Sequence, residues 1–150
     1  MQNLSKARPE SSLLMSFSVR EQMSSIRSHP QIDAALERLW LKDPLTYEHC
    51  HRVGELTQWL GHQLGLSPKE CVELYLCGLL HDIGKLHTPN EILFKPSALS
   101  PEEFKIIKEH PIHSENIISQ IDDIAYLVDP VRQHHERMDG RGYPDSKNGR

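Results

Sequence analysis

In the stretch Leu79-Leu80-His81-Asp82-Ile83-Gly84-Lys85, an apolar helix runs into a histidine, an aspartate and then a stop. A carboxylate in the last turn of a helix faces the negative end of the macrodipole, which costs a few tenths to about 1 kcal/mol. Adjacent imidazole and carboxylate groups are the N and O ligands that divalent first-row metals accept, so a bound cation would compensate. The other reading is a plain C-terminal turn, with Gly84 at its cap and His81 as a hydrogen-bonded core histidine.

Working outward, Ser67-Pro68-Lys69-Glu70 is a capping box with proline at the first helical position, and it launches the helix that ends at His81-Asp82. A second box, Ser100-Pro101-Glu102-Glu103, opens another helix, and the segment from Leu86 to Ala98 between them reads as loop because Thr88, Pro89, Asn90 and Pro96 break any helical period. The helix from Pro101 stops near His110-Pro111, where a further helix begins and carries Ile117 and Ile118 inward. A final helical stretch opens at Asp129-Pro130 and runs through Val131 to His134-His135, followed by the turn cluster Asp139-Gly140-Arg141-Gly142-Tyr143-Pro144.

Upstream, Asp43-Pro44 reads as an N-cap and first helical position. On the helix it opens, Leu45, His49, Val53, Leu56 and Leu60 recur at helical spacing, which predicts that they form the buried face and that His49 lies inside. His51, about 200° around the helix, is expected to face solvent alongside Glu55 and Gln58. Ile32, Leu36 and Leu39-Trp40 mark an earlier helix, whereas residues 1–30 are serine-rich, poor in large apolar groups, and read as a flexible tail in which Leu13, Phe17, Met23 and Ile26 have only a poor helical period. No strand-like alternation or repeat is visible, so the expected fold is all-α.

The chain has 150 residues, the size of one ordinary domain, and a net charge of −4 from 17 basic and 21 acidic residues. No basic field recruits a nucleic-acid polymer, and no apolar run approaches a membrane span. Three scattered cysteines, Cys50, Cys71 and Cys77, suit a reducing compartment, so a cytoplasmic protein is expected. The ten histidines stand out because His49, His81, His110 and His134-His135 sit on or at the ends of separate helices, and a bundle builds metal sites from side chains on facing helices. With Asp82 these exceed the needs of one ion. Two ions bridged by the Asp82 oxygens are the simplest reading.

Leu79 to Lys85, followed by Pro89, Leu93, Lys95-Pro96, Leu99, Glu103 and His110-Pro111, resembles the first half of an HD-GYP domain. His134-His135-Glu136-Arg137-Met138-Asp139-Gly140-Arg141-Gly142-Tyr143-Pro144 resembles its second signature, HHExxDGxGYP, without a mismatch. The resemblance covers about Pro44 to the end and implies an HD-domain helical bundle at residues 31–150. It implies a metal-dependent phosphodiesterase that hydrolyses cyclic di-GMP to linear pGpG or GMP. Its centre would hold iron or manganese on His49, His81, Asp82, His110, His134 and His135, with Lys85 facing the substrate. Two such ions would make a bridging water acidic enough to attack phosphorus and would neutralise phosphate charge, with Asp82 and Lys85 as the catalytic pair. Read without the family, Lys85 is also a favourable cation at a helix C-terminus.

The loop of Asp139, Gly140, Gly142, Tyr143 and Pro144 would border the site and offer a surface to substrate or to a signalling protein. Read from residue types, the glycines permit φ > 0, and Tyr143 either packs or contacts a partner. Relatives with a third ion carry an acidic residue one turn before the first ligand histidine; Leu45 stands there, so two ions are expected. Where relatives often have glycine, this chain has Ser97 and Ser114. The family pattern continues beyond Arg150 with helices that supply one more aspartate ligand, so the bundle is expected to be incomplete at its C-terminus. A weak enzyme prone to self-association, or a silent signalling module acting by ligand or protein binding, is the alternative this implies.

Overall fold

The structure is a computed structural model that describes residues 29–149. The reading of residues 1–30 as a tail falls almost wholly outside these, although Pro30 already opens the first helix, α1 (Pro30–Lys42). Next come α2 (Pro44–Gln63), α3 (Pro68–Leu80), a 3-10 segment (Ile83–His87), α4 (Asn90–Leu93), α5 (Pro101–Ile107) and α6 (His110–Ile118). A second 3-10 segment (Asp122–Leu127) then leads into α7 (Val128–Arg132). The described residues contain an isolated bridge between Asp139 and Asn148 but no named strand, so the all-α expectation holds.

The starts of α2, α3 and α5 are where the sequence places them, whereas α7 opens at Val128 rather than at the expected Asp129-Pro130. Asp43 caps α2, its carboxylate accepting from Thr46 N at 3.1 Å and from Thr46 Oγ1 at 2.5 Å. Ser67 and Ser100 cap α3 and α5 in complete capping boxes with Glu70 and Glu103. Two interior details differ. The segment after Leu86 contains the one-turn α4, which Lys95 helps pin to α5 through its ion pair with Glu103 at 2.6 Å. The last helix ends at Arg132, so His134 and His135 stand in the turn beyond it.

The buried face of α2 is not the predicted one. Leu45 and Leu56 are 77% and 61% exposed, Leu60 and His49 are also exposed, and Val53 is half-buried. The side that packs inward carries Thr46, Cys50, Gly54, Gln58 and Gly61. Gln58, expected in solvent, is buried, and His51 is half-buried with its ring 4.5 Å from that of Tyr47.

The physical reason is the close approach of α2 to α3. A Cβ on Gly78 would lie 2.7 Å from the Gly54 backbone, and one on Gly54 would lie 2.9 Å from the Tyr75 carbonyl. Thr57 Oγ1 also donates across the pair to Leu74 O at 2.8 Å. Helix spacing is set by the side chains at the contact, so small residues bring the two backbones together and the large apolar groups are left outside. Hydrophobic periodicity alone points to a face about 120° further round the helix.

Ile32 and Leu39 of α1 and Leu76, Leu79 and Leu80 of α3 belong to one buried apolar cluster with Ile83, Ile118, Ile124, Leu127 and Val131. Lys42 ties α1 to the end of the 3-10 segment, donating to Leu86 O at 2.8 Å and Thr88 O at 2.6 Å.

Gly78→Val should therefore destabilise the fold by about 1–3 kcal/mol through overpacking. Leu56→Ala, on the exposed side, should stay within about 0.5 kcal/mol. Urea denaturation of both variants checks the assignment, and a larger loss for Leu56→Ala would overturn it.

Candidate metal centre

The end of α3 delivers His81 and Asp82 to the middle of the bundle, the start of α6 delivers His110, and the turn after α7 delivers His134 and His135. Gly84 makes this possible by close approach rather than as a left-handed cap. A Cβ there would overlap the His110 carbonyl, and its φ is not positive. Ser114, one turn along α6 from His110, locks the two elements together: its hydroxyl donates to His81 O and accepts from Gly84 N, both at 2.8 Å.

Three rings are aimed in the same way. Nδ1 of His81, His110 and His134 lies 2.7 Å from the carbonyl oxygen of Gly78, Ile107 and Val131 respectively. A carbonyl only accepts, so Nδ1 carries the hydrogen, and Nε2 of each neutral ring is a bare lone pair pointing inward. These nitrogens converge on Asp82, which is 3% exposed.

The two Asp82 oxygens serve different neighbours. Oδ1 lies 3.0 Å from His110 Nε2 and 3.9 Å from His134 Nε2. Oδ2 lies 3.2 Å from His81 Nε2, 3.9 Å from His49 Nε2 and 2.7 Å from Lys85 Nζ. Two donor groups result, Asp82 with His110, His134 and His135, and Asp82 with His49 and His81, sharing only the carboxylate.

This set fits divalent metal. Oδ1 is buried without a hydrogen-bond donor, and His110 Nε2 and His134 Nε2 face each other at 3.2 Å. Inward-pointing acceptors without donors are costly unless a cation sits among them. The carbonyls behind the rings fix their tautomer and direction, as is usual for ligating histidines.

Electrostatics favour the ligand forms. Burial pushes the Asp82 carboxyl up, but the His110 and His81 rings close against it and the charge of Lys85 more than reverse this, holding it well below the carboxylate range. Burial, reinforced by His135, His81 and His110, lowers His134 to about 4 despite its hydrogen bond to Val131. His49 and His135 are also lowered, first by burial.

All six sequence-predicted donors are therefore brought together, with Lys85 beside them. His49 stands at the exposed rim rather than in the core, while His51 belongs to neither donor group. In the Asp139–Pro144 loop, Gly140 does have a left-handed φ of 71°, but Gly142 does not. Gly142 is needed because a Cβ would overlap Arg137 N, Glu136 and the His135 carbonyl. Tyr143 packs, its ring stacking on His135 with centroids 4.5 Å apart. Sequence reasoning missed Ser114 and Glu136 as anchors; Ser114 shares the face of α6 that carries His110, the one available clue.

The chain matches the HD domain family over residues 35–150. It belongs to the HD domain family. It is 42% identical over 108 residues to a 3'3'-cGAMP-specific phosphodiesterase of Vibrio cholerae, covering 72% of this chain and 25% of the relative. It is 39% identical over 127 residues to a cyclic di-GMP phosphodiesterase of Pseudomonas aeruginosa, covering 84% of this chain and 31% of the relative. A cyclic di-GMP phosphodiesterase of Thermotoga maritima is 38% identical over 105 residues, covering 69% of this chain and 28% of the relative. The chain thus spans about a quarter to a third of the length of these relatives, and their names are consistent with the HD-GYP branch. Among the described residues no helix is long and apolar enough to cross a membrane.

The lowered His134 generates a pH prediction for metal-stripped protein. Its ordinary value is 6.5 and its folded value about 4, so between these limits the unfolded chain binds the extra proton and stability falls as pH falls. His49 and His135 act in the same direction, and Asp82 contributes only near and below its unfolded value of 3.8. Chelator-treated protein should melt at a lower temperature at pH 5 than at pH 7, and His134→Gln should reduce that difference. Thermal melts of both proteins across this range provide the check.

Proposed function

We propose that the chain forms the metal-binding part of a phosphodiesterase that hydrolyses a cyclic dinucleotide, with cyclic di-GMP as the first candidate. The observation that supports this most is the division of Asp82, each of whose oxygens faces its own imidazole set. His110, His134 and His135 would hold one ion and His49 and His81 the other, with Asp82 between them. Iron or manganese is the expected metal on the family resemblance. When bound, the ions would acidify a water for attack on phosphorus and neutralise phosphate charge.

The chain's own residues supply the rest. Asp82 and the carbonyl-anchored rings hold fixed positions, so little reorganisation accompanies the reaction. Lys85 is partly exposed on a flexible stem, so its ammonium is able to turn from Asp82 to a phosphate oxygen or to give a proton to the departing 3′ oxygen. Water forms the new P–O bond and gives up a proton, the P–O3′ bond breaks as the 3′ oxygen takes one up, and the linear dinucleotide leaves. The loop of Asp139, Gly140, Gly142, Tyr143 and Pro144 lies on the His135 side as a surface for substrate or a protein partner. Three free thiols suit a cytoplasmic setting.

The relatives' names favour a second substrate, 3'3'-cGAMP, within the same class. Manganese-loaded protein should be incubated separately with cyclic di-GMP and 3'3'-cGAMP and the linear products followed. Turnover of at least one is expected, and Asp82→Ala should lower it by more than about 100-fold, since losses behind a ligand alone cost roughly 10- to 100-fold. Tight cyclic dinucleotide binding without turnover by metal-loaded protein would instead favour a silent signalling module.

Metal loading yields a further expectation. The His110 group is buried with two carbonyl-anchored rings, whereas the outer group depends on exposed His49, so two ions per chain should bind in a tighter and a weaker step. His49→Ala should remove the weaker step and His51→Ala neither. Calorimetry with elemental analysis tests this, and three ions per chain would contradict the reading of Leu45.

A further inference from the structure

The rings of His81, His110 and His134 are each held by a carbonyl on Nδ1, but among the described residues His135 has no such bond. A ligating ring normally has something behind it that fixes its rotation. What lies behind His135 is an aromatic face. Tyr143 stacks on it with centroids 4.5 Å apart and planes inclined by 24°, while His110 and His134 meet it at 85° and 45°.

Tyr143 is itself held in place. Its backbone N–H donates to His135 O at 3.2 Å, and Gly142 lets the chain pass against Glu136 and Arg137. Beyond it, the Glu136 carboxylate accepts from Asp145 N at 2.6 Å and from Lys147 N at 2.9 Å. Arg132 grips the Asp145 carboxylate with two parallel hydrogen bonds, at 2.9 and 2.7 Å, and pairs with Glu115 of α6. The loop is thus clamped to both elements that carry the inner donors, at the point where it lays an aromatic face on the unanchored ring.

We propose that Tyr143 is a positioning residue that orients His135 by stacking, in place of the carbonyl that orients the other rings, and that Glu136 and Arg132 hold Tyr143 there. This rests on the reading of His135 as a metal ligand. The stack needs the ring of Tyr143 and not its hydroxyl.

Manganese(II) affinity of the full chain, measured by calorimetry at pH 7, tests both. Tyr143→Ala should weaken the tighter step by about ten-fold, the lower end of the cost of losing a group behind a ligand. Tyr143→Phe should bind like the starting protein, and Glu136→Ala should behave like Tyr143→Ala. His135→Ala should weaken binding at least as much, and His135→Ala/Tyr143→Ala should bind no more weakly than His135→Ala, because Tyr143 has nothing left to orient.

Thermal melts of the metal-free variants show whether each is folded before its affinity is compared. A Tyr143 needed only for folding would give losses that multiply in the double variant, and that result overturns the proposal. Unchanged affinity for Tyr143→Ala, or equal loss for Tyr143→Phe, also overturns it. Unchanged affinity for His135→Ala would instead remove the ligand reading, and the proposal with it.

Discussion

Asp82 is a buried carboxylate surrounded by lone pairs, and the rest of the structure answers to that arrangement. A carboxylate at 3% exposure is costly unless its charge is met. Lys85 meets one oxygen, while His110 Nε2 and His134 Nε2 point toward the other without a hydrogen to offer it when neutral. The backbone carbonyls that hold Nδ1 on three rings create this situation, since they remove the only donor each neutral imidazole has. A divalent metal would relieve it, because the inward-facing lone pairs could then serve as ligands.

Bringing those atoms together requires backbones to approach closely, and small residues allow it. Gly84 passes under the His110 carbonyl and Ser114 bonds to both sides of that contact. Gly54 and Gly78 let α2 lie against α3, which sets His49 at the rim beside His81. Gly142 does the same for the loop that carries Tyr143. Glycine in a helix or turn costs conformational entropy, and here that cost is offset by the placement of donor atoms that a larger residue would push apart.

The two donor groups differ in preparation. His110 is 1% exposed and the inner rings contact one another, whereas the His49 side chain is about half exposed and its ring lies 5.3 Å from that of His81. Were ions bound, a rigid inner set beside a more open outer one would leave the outer ion more accessible to a phosphate. That asymmetry suits the reaction class proposed for this HD domain, and Lys85 pairs with Asp82 Oδ2, the oxygen on the outer side.

The starts of α2, α3 and α5, the all-α class and the candidate donors that the fold brings together were legible in the sequence because they depend on local chemistry. Proline with Ser67, Ser100 or Asp43 fixes a start within one turn, and the histidine and aspartate signatures lie in short contiguous stretches. The face of α2 was not legible. Leu45, Leu56 and Leu60 have the right spacing for a core, but whether a helix packs by its large or its small side depends on how near the next helix comes, and Gly78 on α3 decides that. The anchoring contacts of Ser114 and Glu136 and the stacking of Tyr143 on His135 were likewise hidden, since each involves backbone or a ring brought to it by the fold. Sequence determined which atoms were available to a metal and where each helix begins; only the tertiary structure decided which of them point inward, because direction is set by partners distant along the chain.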